Sequence, residues 1–211
     1  MTALVFALQP DQVCIAMDTL VIGAKDRMPL AFQRKFLAMD ESELLVAGTG
    51  HADFINGWFE YLRAHLTSTS IEELNSIAPV IFRASVDPEG GLDGLTVTIY
   101  HFGYSAAEKR YIGYAYRSEK KFEPDRLPDA LGFKPVISIE PTDDIRFPDY
   151  LVEIVLEQQR HDNGNPLTER VGIGGEIEFV VMADRTIRVS TVHRFSCFEA
   201  DQEYIAQRAE D

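Results

Sequence analysis

Thr2-Ala-Leu-Val-Phe-Ala-Leu8, the polar turn Gln9-Pro-Asp-Gln12, and Val13-Cys-Ile-Ala-Met-Asp18 decide how the rest of this chain is read. Two short apolar runs flank Pro10 and Asp11, which is the pattern of a β-hairpin. Leu4 to Leu8 and Val13 to Met17 are apolar throughout. Strands without alternation are buried on both faces. That is unusual at a chain terminus, where strands commonly fray. Such burial fits chemistry located at the terminus, and fits equally a central strand of any sandwich. The hairpin starts on a threonine and ends on an aspartate. An initiator Met is normally trimmed when the next residue is as small as threonine. The α-amine and hydroxyl of Thr2 would then sit on one residue and could act together as base and nucleophile.

The bulk composition bounds the rest. A chain of 211 residues, 45% hydrophobic and 26% charged, has enough apolar mass for one sizeable core and too much for wholesale disorder. The net charge of −14 argues against nucleic acid, whose phosphates need Lys and Arg, and against an anionic membrane surface. No apolar run is long enough to span a membrane, and no charged-then-apolar leader precedes the first strand. Cys14 and Cys197 form neither a disulfide framework nor a zinc spacing, so the expected compartment is a reducing cytoplasm.

Further along, residues 19–34 read as a polar, basic loop with Lys25, Arg27 and Arg34. Lys35-Phe-Leu-Ala-Met39 and Leu44-Leu-Val-Ala47 read as strands, the second ending in Gly48-Thr-Gly50. Ile55, Trp58, Phe59, Leu62 and Leu66 fall at helical spacing and predict a helix from about His51 to Leu66. Ser70-Ile-Glu-Glu73 is a capping box opening a second helix, which Pro79 should kink or shorten. Asp87-Pro-Glu-Gly-Gly91 reads as a loop. Leu95–Tyr104 and Tyr111–Arg117 read as a strand hairpin. Residues 118–146 read as loops with one short strand around Val136–Ile139. Pro148 suits the first position of a third helix. Gly172-Ile-Gly-Gly175 leads to strand Ile177–Met182, Asp184-Arg185 to a turn, Ile187–Phe195 to the last strand, and Glu199–Ala209 to a terminal helix. Tight turns imply antiparallel pairing, and helices in blocks imply α+β layering: two packed sheets with helices outside each.

Thr2, Asp18, Lys35 and Gly48 stand out as a set. The pattern Thr2…Ala16-x-Asp18…Lys35-Phe…Val46-Ala-Gly48 resembles the proteasome β-subunit family and its bacterial two-ring relatives, the N-terminal-nucleophile hydrolases of αββα fold. The resemblance is clearest over residues 2–66. It implies one four-layer αββα domain across residues 1–211, a homo-oligomeric ring, and no cofactor. It also implies roles. Thr2 is the nucleophile and its α-amine the proton acceptor. Lys35 lowers the pKa of the hydroxyl. Asp18 holds Lys35 in place and charged. The Gly48 N–H stabilises the oxyanion. The implied substrate is a peptide or small amide. Singly, Asp18 is also a turn residue, Lys35 a solvated strand end and Gly48 a turn before a helix; the joint spacing is what favours the catalytic reading.

The sequence departs from the family beyond this set. Thr19-Leu20 follows Asp18 where the family has x-Arg. Arg170 and Ile173 stand where active members carry an Asp and a Ser before Gly-Gly, and the family's earlier Ser-Gly has no counterpart. Two rival readings follow: a catalytically inactive structural or scaffold subunit, and a small-molecule amidase with residues 118–146 as a lid. Neither ring size nor an unfoldase partner is specified by the residues. Gly48-Thr-Gly50-His-Ala-Asp53 lacks the third glycine of a dinucleotide turn, Gly172–Gly175 lacks the Lys of a phosphate loop, and the histidines show no metal spacing. Asp143-Asp144 reads as a solvated pair.

Overall fold

The computed structural model describes residues 2–66, 69–86, 96–139 and 145–209. The N-terminal hairpin forms as expected. Strand β1 (Leu4–Leu8) pairs antiparallel with β2 (Gln12–Asp18), with Leu4 opposite Met17 and Leu8 opposite Val13. Both strands lie inside a five-stranded sheet. Its other members are β10 (Leu131–Lys134) beside β1, β11 (Glu176–Ala183) beside β2, and β12 (Thr186–Arg194) at the far edge. A second five-stranded antiparallel sheet contains β5 (Phe36–Met39), β6 (Leu44–Gly50), β7 (Val97–Ser105), β8 (Arg110–Arg117) and β9 (Pro124–Arg126), in that order.

The lack of alternation in the hairpin has a direct cause. Leu4, Phe6, Leu8, Val13, Ile15 and Met17 pack toward the second sheet, against Phe36, Leu45, Tyr100 and Phe102. Ala3, Val5, Ala7, Cys14 and Ala16 pack the other way, against Leu151, Ile154 and Val155 of helix α3 (Asp149–Asn163). Side chains alternate between the two faces, and both faces are covered. The bulky set fills the space between sheets, and the small set lets the helix approach. On the outside of the second sheet lie α1 (Ala52–His65) and α2 (Ile71–Ser85), joined to it through Trp58, Phe59, Leu62, Leu74 and Phe82. Helices, sheet, sheet and helix make four layers. This is the αββα sandwich, built from antiparallel sheets.

Several details differ from the sequence reading. Residues 19–34 are not an unstructured loop: β3 (Leu20–Ile22) and β4 (Pro29–Phe32) form a hairpin. Lys25 and Arg27 merely occupy its turn, which is closed by the Gly23 N–H on the Met28 carbonyl at 2.9 Å. Helix α4 (Phe198–Arg208) packs on this hairpin, with Phe198 stacked on Phe32 at 4.6 Å. Pro79 does not stop α2, which runs to Ser85 with Pro79 inside it. Ser70 and Glu73 form the reciprocal cap. Strand β6 continues through Gly50, so Gly48 is a strand residue and not a turn opening α1. Residues 118–139 supply β9 and β10, one to each sheet, and the strand expected at Val136–Ile139 does not form. Charge and proline hide these short edge strands from a periodicity argument. Asp87–Gly91, Leu95, the Asp143-Asp144 pair and Met1 lie outside the described residues. No helix among the described residues is long and apolar enough to cross a membrane.

Candidate active site

Asp18 ends β2, between β1 and β11, and is fully buried. Burying a carboxylate is costly unless it is paired and hydrogen-bonded. Here every partner is supplied. One oxygen, Oδ1, accepts the Ala3 N–H at 2.9 Å. The other, Oδ2, accepts from Lys35 Nζ at 2.9 Å and from the Gly174 N–H at 3.3 Å. Lys35 Nζ also donates to the Leu20 carbonyl at 2.6 Å. The aspartate therefore ties together the peptide bond after Thr2, the lysine and the loop before β11. Burial pushes the Asp18 carboxyl above the usual carboxylate range and the Lys35 ammonium below the usual lysine range, while their mutual attraction opposes both shifts.

Lys35 immediately precedes β5, so it belongs to the second sheet and reaches across to the first. The register Phe36 opposite Ala47, continued by one pair, sets Lys35 opposite Gly48. Gly48 itself has a packing reason to lack a side chain: a Cβ there would meet Ile55 Cγ1 and Cγ2 at 2.7 Å. Thr2, Lys35 and Gly48 line one cavity of about 360 Å³, while Asp18 lies behind Lys35. Across that cavity, the β3–β4 hairpin is tied to α1 by Gln33 Nε2 donating to Asn56 Oδ1 at 2.9 Å. Thus three of the four residues singled out in the sequence share a cavity, and the fourth anchors one of them.

Arg170 and Ile173 do not face this site. Arg170 donates to the carbonyls of Asn163 and Asn165 at the end of α3, and Ile173 is buried in the core beneath that helix. The loop instead contributes its backbone, through Gly174. Asp162, buried on α3, shapes that loop by accepting the N–H groups of Val171 and Gly172 at 2.6 and 2.9 Å. Sequence reasoning missed Asp162, and it missed Lys134. A second cavity of about 410 Å³ opens on the other side of Thr2, walled by Tyr100, Phe133 and Lys134. Both cavities share Thr2, Gly50 and Thr96. The available signal for Lys134 was the Leu-Gly-Phe-Lys run between Pro128 and Pro135, short enough to be taken for loop. Among the described residues no cluster of His, Cys, Asp and Glu could hold a metal ion.

Two facing antiparallel sheets between helix layers, with a threonine leading into β1 between β10 and β2, match the proteasome-like N-terminal-nucleophile fold. Among solved structures the chain is similar to a Gly-1 mutant of Anbu from Hyphomicrobium sp. strain MC1. The TM-score is 0.66 and the identity 13%, over 100% of this chain and 94% of that one. Anbu is a bacterial proteasome-like protein. At that identity the likeness is one of fold. No family model matches the sequence, and no curated protein matches it either.

Proposed function

We propose that the chain is a threonine-type amidohydrolase that cleaves peptide or amide bonds through an acyl-enzyme on Thr2. The observation that carries this reading is the buried Asp18–Lys35 pair at 2.9 Å, with Lys35 opening onto the same cavity as Thr2 and Gly48. Removal of residue 1 frees the α-amine, whose ordinary pKa of about 7.7–8.0 leaves much of it available as base near neutrality. The amine takes the proton from the Thr2 hydroxyl. Lys35 favours the alkoxide through its positive charge, and Asp18 keeps the ammonium in position. The oxygen adds to the substrate carbonyl, and the Gly48 N–H meets the negative charge that develops. The carbon–nitrogen bond breaks as the proton passes to the leaving amine. Water then attacks the ester, and the acid leaves with Thr2 restored.

Cavities on both sides of Thr2 support a substrate that extends in two directions. This favours a peptide over a small amide in a closed pocket, because residues 118–139 form strands and a wall rather than a lid. The αββα fold supports a homo-oligomeric ring by analogy. Two mass measurements test the hydrolase reading. The intact mass shows whether Met1 is removed. Treatment with a threonine-directed peptide epoxyketone then adds one equivalent to Thr2 in wild type and none in Lys35→Met. A free terminus that takes no adduct overturns the hydrolase and leaves the scaffold.

A further inference from the structure

We propose that the second cavity is a carboxylate subsite, in which Lys134 holds an anionic group of the substrate on the side of Thr2 away from Lys35. The proposal rests on the hydrolase reading for its word "substrate", and on the cavity alone for the binding.

The register sets Lys134 opposite Leu4 in the β10–β1 ladder. Directly opposed residues share a face, and Leu4 faces the second sheet. Continuing the alternation along β1 carries Thr2 to that same face. Lys134 spans the gap between sheets, its ammonium donating to Thr98 Oγ1 on β7 at 3.0 Å. A hydroxyl is a neutral partner. Lys35, by contrast, has Asp18, and Arg34 in the wall of the first cavity has Glu178 at 2.7 Å. Lys134 has no carboxylate within ion-pair distance among the described residues. The carboxylate among the described residues of the wall is Glu119, which is exposed to solvent. Arg117, the other cation of the wall, is shared with Asp125, which also takes Lys120.

A half-buried ammonium whose partner among the described residues is a hydroxyl has lost water without gaining a counter-charge from them. Burial accordingly lowers its pKa. A ligand carboxylate entering the cavity would restore the balance through a charge-assisted bond, in surroundings less polar than water. The remaining wall is apolar or aromatic (Phe133, Pro135, Val136, Tyr100), which suits the stem of such a group. The carboxylate could end the peptide chain or belong to an acidic side chain.

Equilibrium binding to the Thr2→Val protein, which cannot turn over, tests this by calorimetry with three probes. These are N-acetyl-tetraalanine amide, the same peptide with a free C-terminal carboxylate, and N-acetyl-Ala-Ala-Glu-Ala amide. At least one acidic probe is expected to bind about tenfold tighter than the neutral one, and which of the two does so identifies the source of the carboxylate. Added salt should shrink the preference. Thr2→Val/Lys134→Met should lose it, and Thr2→Val/Lys134→Arg, which preserves charge should the Met variant unfold, should retain it. Equal binding of all three probes to the Thr2→Val protein, or a preference that survives in Lys134→Met, overturns the subsite. The epoxyketone result is independent: failure there with a retained preference removes the hydrolase and leaves an anion-binding cavity.

Discussion

Asp18→Asn is the substitution on which the architecture of the site can be judged most sharply. The side chain keeps its shape and loses its charge. In the native chain the carboxylate accepts three donors, from Ala3, Lys35 and Gly174, and is fully buried. An asparagine has one acceptor oxygen, so its NH₂ must face a donor, either the Ala3 N–H or the Lys35–Gly174 pair. Lys35, whose side chain is only 9% exposed, keeps the Leu20 carbonyl and loses its counter-charge. Breaking a buried pair from one side costs about 3–5 kcal/mol. For a chain of this size that lowers the melting temperature by about 6–20 °C. Lys35→Met alone is also costly, because it leaves a buried carboxylate with two backbone donors. The double variant removes both charges, so it should be less destabilised than the sum of the singles by about 2–3 kcal/mol. Urea denaturation of the four proteins at one fixed concentration measures the cycle, since self-association would add a concentration term. A cost below about 1 kcal/mol for Asp18→Asn, with negligible coupling, is what a solvated surface pair gives. That result would refute the buried pair and, with it, the placement of Lys35 beside the cavity.

Other perturbations have separate readouts. His101 is fully buried, accepts the Trp58 indole N–H at 3.0 Å, and is pushed by burial down to about 3. A depressed folded pKa gives stability that is complete above the ordinary histidine value of about 6.5 and is lost as pH falls below it. Relative to His101→Phe, wild type should therefore lose about 3 kcal/mol between pH 7 and pH 4, read from paired urea titrations. Gly48→Ala drives a methyl against Ile55 and should cost about 1–3 kcal/mol in a melt, while narrowing the first cavity. Ser70→Ala removes the α2 cap and should cost about 1 kcal/mol without altering epoxyketone labelling of Thr2.

How far the chain could be read depended on whether a feature is written in residue types or in backbone groups. The hairpin Leu4–Asp18 and the stripe Ile55, Trp58, Phe59, Leu62 were legible because each pattern has one satisfactory burial. The convergence of Lys35 on Asp18 came from a joint spacing that resembles the family, not from any local pattern, since nothing local tells a lysine on one sheet to find a carboxylate on the other. The β3–β4 hairpin, β9 and β10 were missed because strands of three or four residues, interrupted by charge and proline, carry no usable period. Lys134 was lost with β10. The harder omission concerns donors. The loop before β11 serves the site through the Gly174 N–H, a group every residue but proline possesses. Arg170 and Ile173, which the resemblance set in the places of an Asp and a Ser, turn elsewhere. A buried carboxylate requires donors at the right distance, and it is indifferent to whether a hydroxyl or a peptide nitrogen supplies them. Loss of a serine from a motif therefore does not by itself dismantle a site, provided the fold still aims a peptide N–H at the same oxygen. Asp162 holds the Val171 and Gly172 N–H groups, three and two residues before Gly174, so Asp162→Asn should reduce the coupling of Asp18→Asn with Lys35→Met in the same urea cycle, from a residue with no direct contact to Asp18.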